Sequence, residues 1–415
     1  MMSYSLPPAE TSLPLRAIAK GLLPGRADFA LTLRQYLNAD ACIVTNSGRA
    51  ALYLLFSLLR TRVPGGMTEV LIPGYTCYSV AAAAVKAELK VALYDLDPCS
   101  FQPDMADVRR KIRPATVAVV GQHLLGVPGD IGALSEVARE YGICCIEDSA
   151  QLLGRTDAGA QWKTPADYTV LSFGRGKPLP LGGGGAVIAS EPRDLSQIVG
   201  GLRASRLVPA RFLMPLAVRA LASPRLYWIL ENLPLGLGRT VYDPSFSVAD
   251  MPLAYQRIGS AALARLDCLN RHRVDIGDVY NSHFAGEINV APMKNRLAHT
   301  RYPLLVRNQS AIRQLAAYGV RRLYPLALCD LPALQSSLVC PGEQLRGAQE
   351  IASRLITLPT HMHVDQRLAN ELVNRVSATL QGVTVVQTVK QPSVENESPA
   401  SLHPCDEQST VNMVV

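Results

Sequence analysis

Short apolar runs alternate with longer stretches of helical periodicity along the first half of the chain. The segments AALYLLFSLLR (50–60) and IGALSEVAREYG (131–142) have the spacing of helices. The predicted strands are CIVT (42–45), EVLIP (69–73), VALYDLD (91–97), TVAVVGQH (116–123), ICCIED (143–148), YTVLSF (168–173) and AVIAS (186–190). Because strands alternate with helices of this length, the pattern predicts an α/β fold with a mostly parallel sheet that is covered on both faces.

A second pattern begins near residue 250. One strand-like run, YPLLV (302–306), lies among predicted helices at 251–285, 309–318, 344–354 and 364–380. We therefore predict a large domain over 1–245 and a smaller C-terminal α/β domain over 246–385. The polar residues 386–415 have little periodicity, and we expect them to form a disordered tail.

The segment 205–240 is apolar and is interrupted by prolines and arginines. It predicts two short amphipathic helices inserted in the large domain. The favoured interpretation is a flap or a subunit interface. The alternative is a surface that makes peripheral contact with a membrane or holds a lipid tail. No apolar run of 18 residues occurs, so we expect no transmembrane helix.

The composition is that of an ordinary globular protein, with 48% hydrophobic and 18% charged residues. The net charge of +7 favours an anionic substrate or cofactor. The basic residues are spread along the chain rather than clustered, so we expect no nucleic-acid partner. Nine cysteines at irregular intervals, with no CxxC pair and no signal-peptide pattern before them, predict a cytoplasmic protein.

The first segment with candidate chemistry is TNSGRAAL (45–52), in which a predicted strand ends at Thr45 and a helix follows Gly48. A helix N-terminus presents unpaired N–H groups and a partial positive charge, which can bind a phosphate. Gly48 permits close backbone approach, Ser47 can donate from its hydroxyl, and Arg49 adds charge. Taken alone, the same residues also form an ordinary helix cap.

The second segment is IEDSAQ (146–151), where a buried strand ends in Glu147 and Asp148. An acid that emerges from an apolar run is costly to bury without a cationic partner. A protonated pyridine nitrogen is such a partner, and its charge makes a pyridine cofactor an electron sink. A helix cap or a structural ion pair is the alternative.

The third segment is LSFGRGK (171–177), followed by the glycine run at 182–185. Lys177 follows a strand after a short glycine-containing turn, which is a position where a lysine can form a Schiff base. A solvated loop lysine is the alternative. A nucleotide-binding Walker loop is excluded because the spacing is wrong and Pro178 stands where Ser or Thr is required.

Taken in order, these segments resemble the DegT/DnrJ/EryC1/StrS family of pyridoxal-phosphate sugar aminotransferases. The resemblance spans roughly residues 42–380. The matching segments are SGRAAL, EVLIPGYT, DLDPCSFQPD (95–104), HLLGVPGDI (123–131), IEDSAQ, the SF that precedes Lys177, ALARLD (262–267) and LPTHMH (358–363).

The resemblance implies specific roles around pyridoxal 5'-phosphate. Lys177 matches the lysine that forms the Schiff base and moves protons, and Asp148 matches the acid paired with the pyridine nitrogen. Gln151 matches the residue near the phenolic oxygen of the cofactor. Ser172 and the backbone of Gly48 and Arg49 match the phosphate ligands.

The resemblance also implies a reaction and an assembly. The expected fold is the type I, aspartate-aminotransferase-like fold, active as a homodimer with sites at the subunit interface. The expected reaction moves an amino group from an amino-acid donor, glutamate in our interpretation, to a keto-sugar attached to a nucleotide. Such a reaction would serve amino-sugar or envelope polysaccharide biosynthesis.

The chain departs from the family pattern at several positions, and these leave alternatives open. Cys77 stands where an aromatic residue usually stacks on the cofactor, so Tyr75 or Tyr78 would have to replace it. One alternative function is dehydration or isomerisation on the same cofactor. Within the family, dehydration accompanies replacement of the lysine by His, whereas Lys177 is present here. The other alternative is a regulator or scaffold without catalysis.

Overall fold

The computed structural model of the chain describes residues 5–9, 13–23, 28–62, 68–154, 164–189, 241–284, 296–306 and 312–381, with a few isolated positions between them. Most of the apolar segment 205–240 and all of 386–415 lie outside the described residues. The two predicted helices of that segment and the predicted disordered tail therefore stay predictions, as do the domain boundaries.

The described secondary structure alternates strands and helices from β1 to β5. The strands are Ala41–Thr45 (β1), Glu69–Pro73 (β2), Lys90–Tyr94 (β3), Thr116–Gln122 (β4), Cys144–Asp148 (β5), Tyr168–Ser172 (β6), Gly185–Ala189 (β7), Tyr302–Leu305 (β8), Arg321–Arg322 (β9) and Leu355–Leu358 (β10). The α-helices are Leu15–Leu22 (α1), Phe29–Leu37 (α2), Gly48–Arg62 (α3), Tyr78–Lys86 (α4), Met105–Lys111 (α5), Ile131–Tyr141 (α6), Leu253–Leu263 (α7), Leu266–Phe284 (α8), Ile312–Leu315 (α9), Arg346–Arg354 (α10) and Gln366–Gln381 (α11).

Seven strands form one sheet in the order β1-β7-β6-β5-β4-β2-β3. The five strands from β6 to β3 run parallel to one another, while β7 is antiparallel to both of its neighbours. The prediction of a mostly parallel sheet is confirmed. Every residue of β4 is buried, as expected for a central strand that helices cover on both faces.

In the part of the chain that the structure describes, three groups of apolar residues form the core. The largest joins the sheet to α3, α4, α5 and α6. A second packs α1, α2 and α7 against the part of the sheet formed by β6 and β7. The third covers a three-stranded antiparallel sheet in the order β8-β10-β9 with α8 and α11. Among the described residues, no helix is both long and apolar enough to cross a bilayer.

The single helix predicted over 251–285 is wrong in one respect, because a turn at Ala264 and Arg265 divides it into α7 and α8. Leu263 and Leu266 are buried on the two sides of the turn. The break allows α7 to pack in the second core while the later part of α8 packs in the third. Both sides have helical periodicity, so the local pattern gives no sign of the turn.

Candidate active site

The three segments singled out in the sequence meet at one edge of the large sheet. Asp148 ends β5, Ser172 ends β6 and Thr45 ends β1, and these three strands point in the same direction. The antiparallel strand β7 begins at this edge, where Gly185 pairs with both Thr45 and Ser172. Carboxyl ends of strands in open α/β sheets are the usual place for ligands.

The N-terminus of α3 forms one side of this edge. Ser47 caps the helix, since its Oγ accepts a hydrogen bond from the N–H of Ala50 at 3.2 Å. Gly48 lies directly against Ser172, because a Cβ at position 48 would come 2.9 Å from Ser172 Cβ and 3.0 Å from Ser172 Oγ. The first N–H groups of α3 and the Ser172 hydroxyl are therefore neighbours, and such donors can bind a phosphate.

The glycine run holds the β7 backbone against the same helix end. A Cβ at Gly185 would lie 2.5 Å from Gly48 N and 2.5 Å from the carbonyl carbon of Ser47. Gly184 has a φ of +105°, and its N–H donates to the Asn46 carbonyl at 3.0 Å. Only glycine at position 185 allows this approach, which keeps the helix N-terminus close to the end of β6.

Arg49 contributes differently from the expectation of added charge at a phosphate. Its guanidinium lies 3.8 Å from Asp243 Oδ2 and 5.2 Å from the ring centre of Phe246. The side chain is therefore engaged with the segment that follows the apolar insertion. The backbone N–H of Arg49 remains available at the start of α3.

Asp148 is buried, with 8% of its surface exposed. Its Oδ1 accepts a hydrogen bond from the Ala150 N–H at 3.0 Å, and it forms no ion pair with any described residue. Burial raises the pKa of the Asp148 carboxyl above its usual value, although the charge of Lys177 acts in the opposite direction. The carboxylate thus lacks a close cationic partner and is suited to receive one.

Glu147, the other acid at this strand end, is engaged in a different network. Its carboxylate accepts hydrogen bonds from His123 Nε2 at 2.6 Å and from Thr169 Oγ1 at 2.7 Å. His123 Nδ1 accepts from the Gly129 N–H at 2.9 Å, so the ring proton is on Nε2. Burial alone would raise the pKa of Glu147, but these hydrogen bonds lower it below its usual value. Glu147 is a satisfied structural acid.

Lys177 follows a turn in which its N–H donates to the Gly174 carbonyl at 3.3 Å, and Gly176 has a φ of +72°. A Cβ at Gly174 would come 3.7 Å from Ser172 Oγ and 3.9 Å from Lys177 Cγ. Ser172 Oγ and Lys177 Cγ therefore both lie near Gly174, and the charge of Lys177 acts on Asp148. The fold brings Lys177, Ser172 and Asp148 to one place.

Gln151 lies beyond Asp148, where two partners hold its amide. Its Oε1 accepts from the Leu125 N–H at 2.6 Å, and its Nε2 donates to the Tyr324 hydroxyl at 3.4 Å. This orientation leaves the amide fixed between the loop after β4 and the loop after β9.

Tyr324 was not found by sequence reasoning. It is buried, and its ring centre lies 5.4 Å from that of Tyr75 and 6.0 Å from that of Tyr78. The Tyr75 hydroxyl donates to the Tyr324 carbonyl at 3.2 Å, and the Tyr78 hydroxyl donates to the Leu326 carbonyl at 3.0 Å. The two tyrosines that were candidates to replace the missing aromatic at position 77 thus both hold the loop at Tyr324. No local motif around Tyr324 marks it in the sequence.

These residues fit pyridoxal phosphate by the chemistry of their donors and acceptors. The N–H groups of α3 and the Ser172 hydroxyl can hold a phosphate, and the cradle between Gly48, Gly185 and Ser172 has no room for side chains. Asp148 supplies a buried acceptor that lacks a cation, as a protonated pyridine nitrogen requires. Lys177 supplies the amine.

Comparison with known proteins finds relatives of this chain among the aminotransferases. Residues 21–205 match the model of the DegT/DnrJ/EryC1/StrS aminotransferase family. The erythromycin biosynthesis sensory transduction protein EryC1 of Saccharopolyspora erythraea is 33% identical over 363 residues, which cover 86% of this chain and 90% of that protein. A dTDP-4-dehydro-2,3,6-trideoxy-D-glucose 4-aminotransferase of Saccharopolyspora spinosa is 33% identical over 174 residues. That match covers 41% of this chain and less than half of the relative, 44%.

Solved structures share the fold over most of the chain. A putative sugar aminotransferase from Streptococcus pneumoniae in its PLP form superimposes with a TM-score of 0.71 at 19% identity, covering 92% of this chain and 100% of that one. This likeness confirms the fold class that the sequence predicts.

Proposed function

The chain belongs to the DegT/DnrJ/EryC1/StrS aminotransferase family, and on that premise we propose that it is a pyridoxal-phosphate-dependent sugar aminotransferase. The proposed reaction moves an amino group from an amino acid to a keto-sugar carried by a nucleotide. The observation that carries the proposal is the buried Asp148 carboxylate, which has no paired cation among the described residues and is influenced by the Lys177 charge.

Each site residue has a proposed task. The N-terminus of α3 and Ser172 would hold the phosphate, and Asp148 would accept a hydrogen bond from the protonated pyridine nitrogen. Gln151, which Leu125 and Tyr324 hold in place, would contact the phenolic oxygen of the cofactor. When bound, the cofactor supplies an electron sink for the carbanion that proton removal creates. Lys177 would hold the cofactor covalently until the amine of the donor displaces it. The freed Lys177 amine would then accept the α-proton of the amino donor and return a proton on the sugar side.

The substrate class rests on the named relatives. One relative is a dTDP-keto-sugar 4-aminotransferase, and another, 24% identical over 261 residues, is a GDP-perosamine synthase from Vibrio cholerae. We infer a nucleotide-linked keto-sugar as acceptor and glutamate as donor, and a homodimer as the active form. Amino-sugar biosynthesis in the cytoplasm, for an envelope polysaccharide, is the setting that this chemistry fits.

A two-stage assay tests the proposal. The holoprotein is first mixed with glutamate, and the release of 2-oxoglutarate is measured in an amount equal to the protein. A panel of dTDP-, UDP- and GDP-linked keto-sugars is then added, and amino-sugar products are detected by mass spectrometry. Lys177→Ala is the control that should release no oxo acid, because it lacks both the covalent anchor and the base.

The two alternative functions give different results in this assay. A dehydratase or isomerase would alter the sugar without any dependence on an amino donor. A regulator or scaffold would produce neither oxo acid nor a new sugar. Either outcome would contradict the proposed transfer, while the presence of Lys177 argues against the dehydration chemistry.

A further inference from the structure

Arg301, just before β8, carries an unsatisfied hydrogen-bonding edge. Arg301 as a whole is only half-buried, but its Nε and Nη2 atoms are buried and have no hydrogen-bond partner among the described residues. Nε and Nη2 lie on the same edge of the guanidinium, and this edge can donate two parallel hydrogen bonds to one partner. This edge matches the two oxygens of a carboxylate.

The surroundings of Arg301 make that edge costly to leave unpaired. Burial and, to a smaller extent, the nearby charge of Arg321 together lower the pKa of the Arg301 guanidinium to about 10. The group therefore remains a cation at neutral pH while it lacks a described acid as a partner. A buried, unpaired charge is strongly unfavourable, so an anion that completes this edge would be stabilised.

The charge of Arg301 acts on the loop at Tyr324, here called the tyrosine loop, which contacts the candidate active site through Gln151. Its charge acts on the phenols of Tyr324 and Tyr75, and the Tyr324 hydroxyl receives the hydrogen bond from Gln151. A second path runs through His299, two residues earlier, whose Nδ1 lies 3.1 Å from the Leu125 carbonyl. The N–H of the same Leu125 donates to Gln151. The charge of Arg301 thus acts on a tyrosine that contacts Gln151, and His299, two residues earlier, contacts the same Leu125 as Gln151.

The neighbouring arginines are not equivalent to Arg301. Arg321 donates from Nη1 to the carbonyls of Ala316 and Val320. Arg322 donates from Nη2 to the carbonyls of Pro325 and Ala352. Both guanidinium groups stabilise backbone turns.

From this geometry we infer that Arg301 binds the α-carboxylate of the amino-acid donor. This inference rests on the proposed transamination, in which a donor must place its amino group near Lys177 while a carboxylate is attached to the same carbon. Nε and Nη2 are shielded from solvent, so a ligand reaches them only when a neighbouring side chain moves aside. A two-oxygen carboxylate requires a smaller displacement than the diphosphate of a nucleotide-sugar. Arg301 would then be a residue that selects amino acids over simple amines.

The test compares Arg301→Met with Arg322→Met in the holoprotein. Both changes remove one positive charge beside the tyrosine loop, but only the first removes the unpaired edge. We expect Arg301→Met to raise the KM for glutamate by about 100-fold or more, as loss of two charge-assisted hydrogen bonds implies. The KM for the keto-sugar should not change. Activity with 4-aminobutyrate, which is glutamate without its α-carboxylate, should be equal in wild type and variant.

A binding measurement without turnover separates this inference from the proposed function. Glutarate should raise the unfolding temperature of the wild-type holoprotein and of Arg322→Met, but not that of Arg301→Met. If glutarate protects all three proteins equally, or if Arg301→Met raises the KM for the keto-sugar instead, the inference is wrong. If the wild type transfers no amino group, the proposed function fails, and selective loss of glutarate binding in Arg301→Met still decides whether the carboxylate site exists.

Discussion

Replacing Gly185 by alanine tests how closely β7 must approach the helix N-terminus. The new Cβ would lie 2.5 Å from Gly48 N, 2.5 Å from the carbonyl carbon of Ser47 and 2.6 Å from Gly48 Cα. Non-bonded carbon contacts are normally about 3.5–4.0 Å, so the start of α3 must move by roughly 1 Å. All three atoms belong to the backbone, and no side-chain rotation can relieve the contact.

Two consequences of Gly185→Ala can be given magnitudes. Overpacking of this kind costs about 1–3 kcal/mol of folding free energy. Displacing one N–H from a phosphate removes a charge-assisted hydrogen bond worth about 1.5–3 kcal/mol, which corresponds to a Kd roughly 10- to 150-fold weaker. We expect the variant to fold and to bind pyridoxal phosphate with that loss of affinity, measured by fluorescence titration of the apoprotein.

Gly183→Ala is the matched control in the same glycine run. A Cβ at Gly183 would meet only the Asn46 carbonyl oxygen, at 3.9 Å, which is ordinary contact. The control should therefore keep wild-type cofactor affinity and unfolding temperature. If a folded Gly185→Ala protein binds the cofactor as tightly as the wild type, or if the control loses as much affinity, the proposed phosphate cradle is refuted.

Three further predictions concern buried polar groups. Without cofactor, Asp148→Asn should raise the unfolding temperature at neutral pH. Burial raises the pKa of the Asp148 carboxyl in the folded protein, so its ionisation at neutral pH destabilises the fold. The gain in unfolding temperature should vanish below about pH 4, where the wild-type carboxyl is protonated in both the folded and the unfolded protein. Burial lowers the pKa of His299 from 6.5 to about 4. The unfolding temperature of the wild type should therefore fall as the pH decreases from 6.5 to 4, and the fall should be smaller in His299→Asn. Tyr324→Phe should reduce kcat by about tenfold or less, because Gln151 keeps its bond from Leu125.

The large sheet could be predicted from sequence because its strands are continuous apolar runs between polar turns. The strand ends at Thr45, Asp148 and Ser172 then placed the three candidate segments at one edge. The turn at Ala264 and Arg265 could not be predicted, since it depends on the separation of two cores rather than on a local breaker.

The candidate site could likewise be predicted only in part from the sequence. Lys177 and Asp148 lie in short motifs whose order along the chain carried the family resemblance, and their roles stay predictions until tested. Tyr324 and Arg301 come from the C-terminal half and reach the site through tertiary packing alone. Neither has a neighbouring motif. The buried phenol of Tyr324, and the Arg301 guanidinium edge that has no partner among the described residues, became visible only in three dimensions.

Borohydride reduction of the holoprotein, followed by peptide mass spectrometry, tests the central claim most directly. Reduction fixes the cofactor to the amine that carries it, so the pyridoxyl group should be found on the peptide that contains Lys177. Label on Lys86 or another lysine would contradict the assignment of the site. A protein that is folded, saturated with pyridoxal phosphate and unlabelled after reduction would contradict the proposed enzyme altogether.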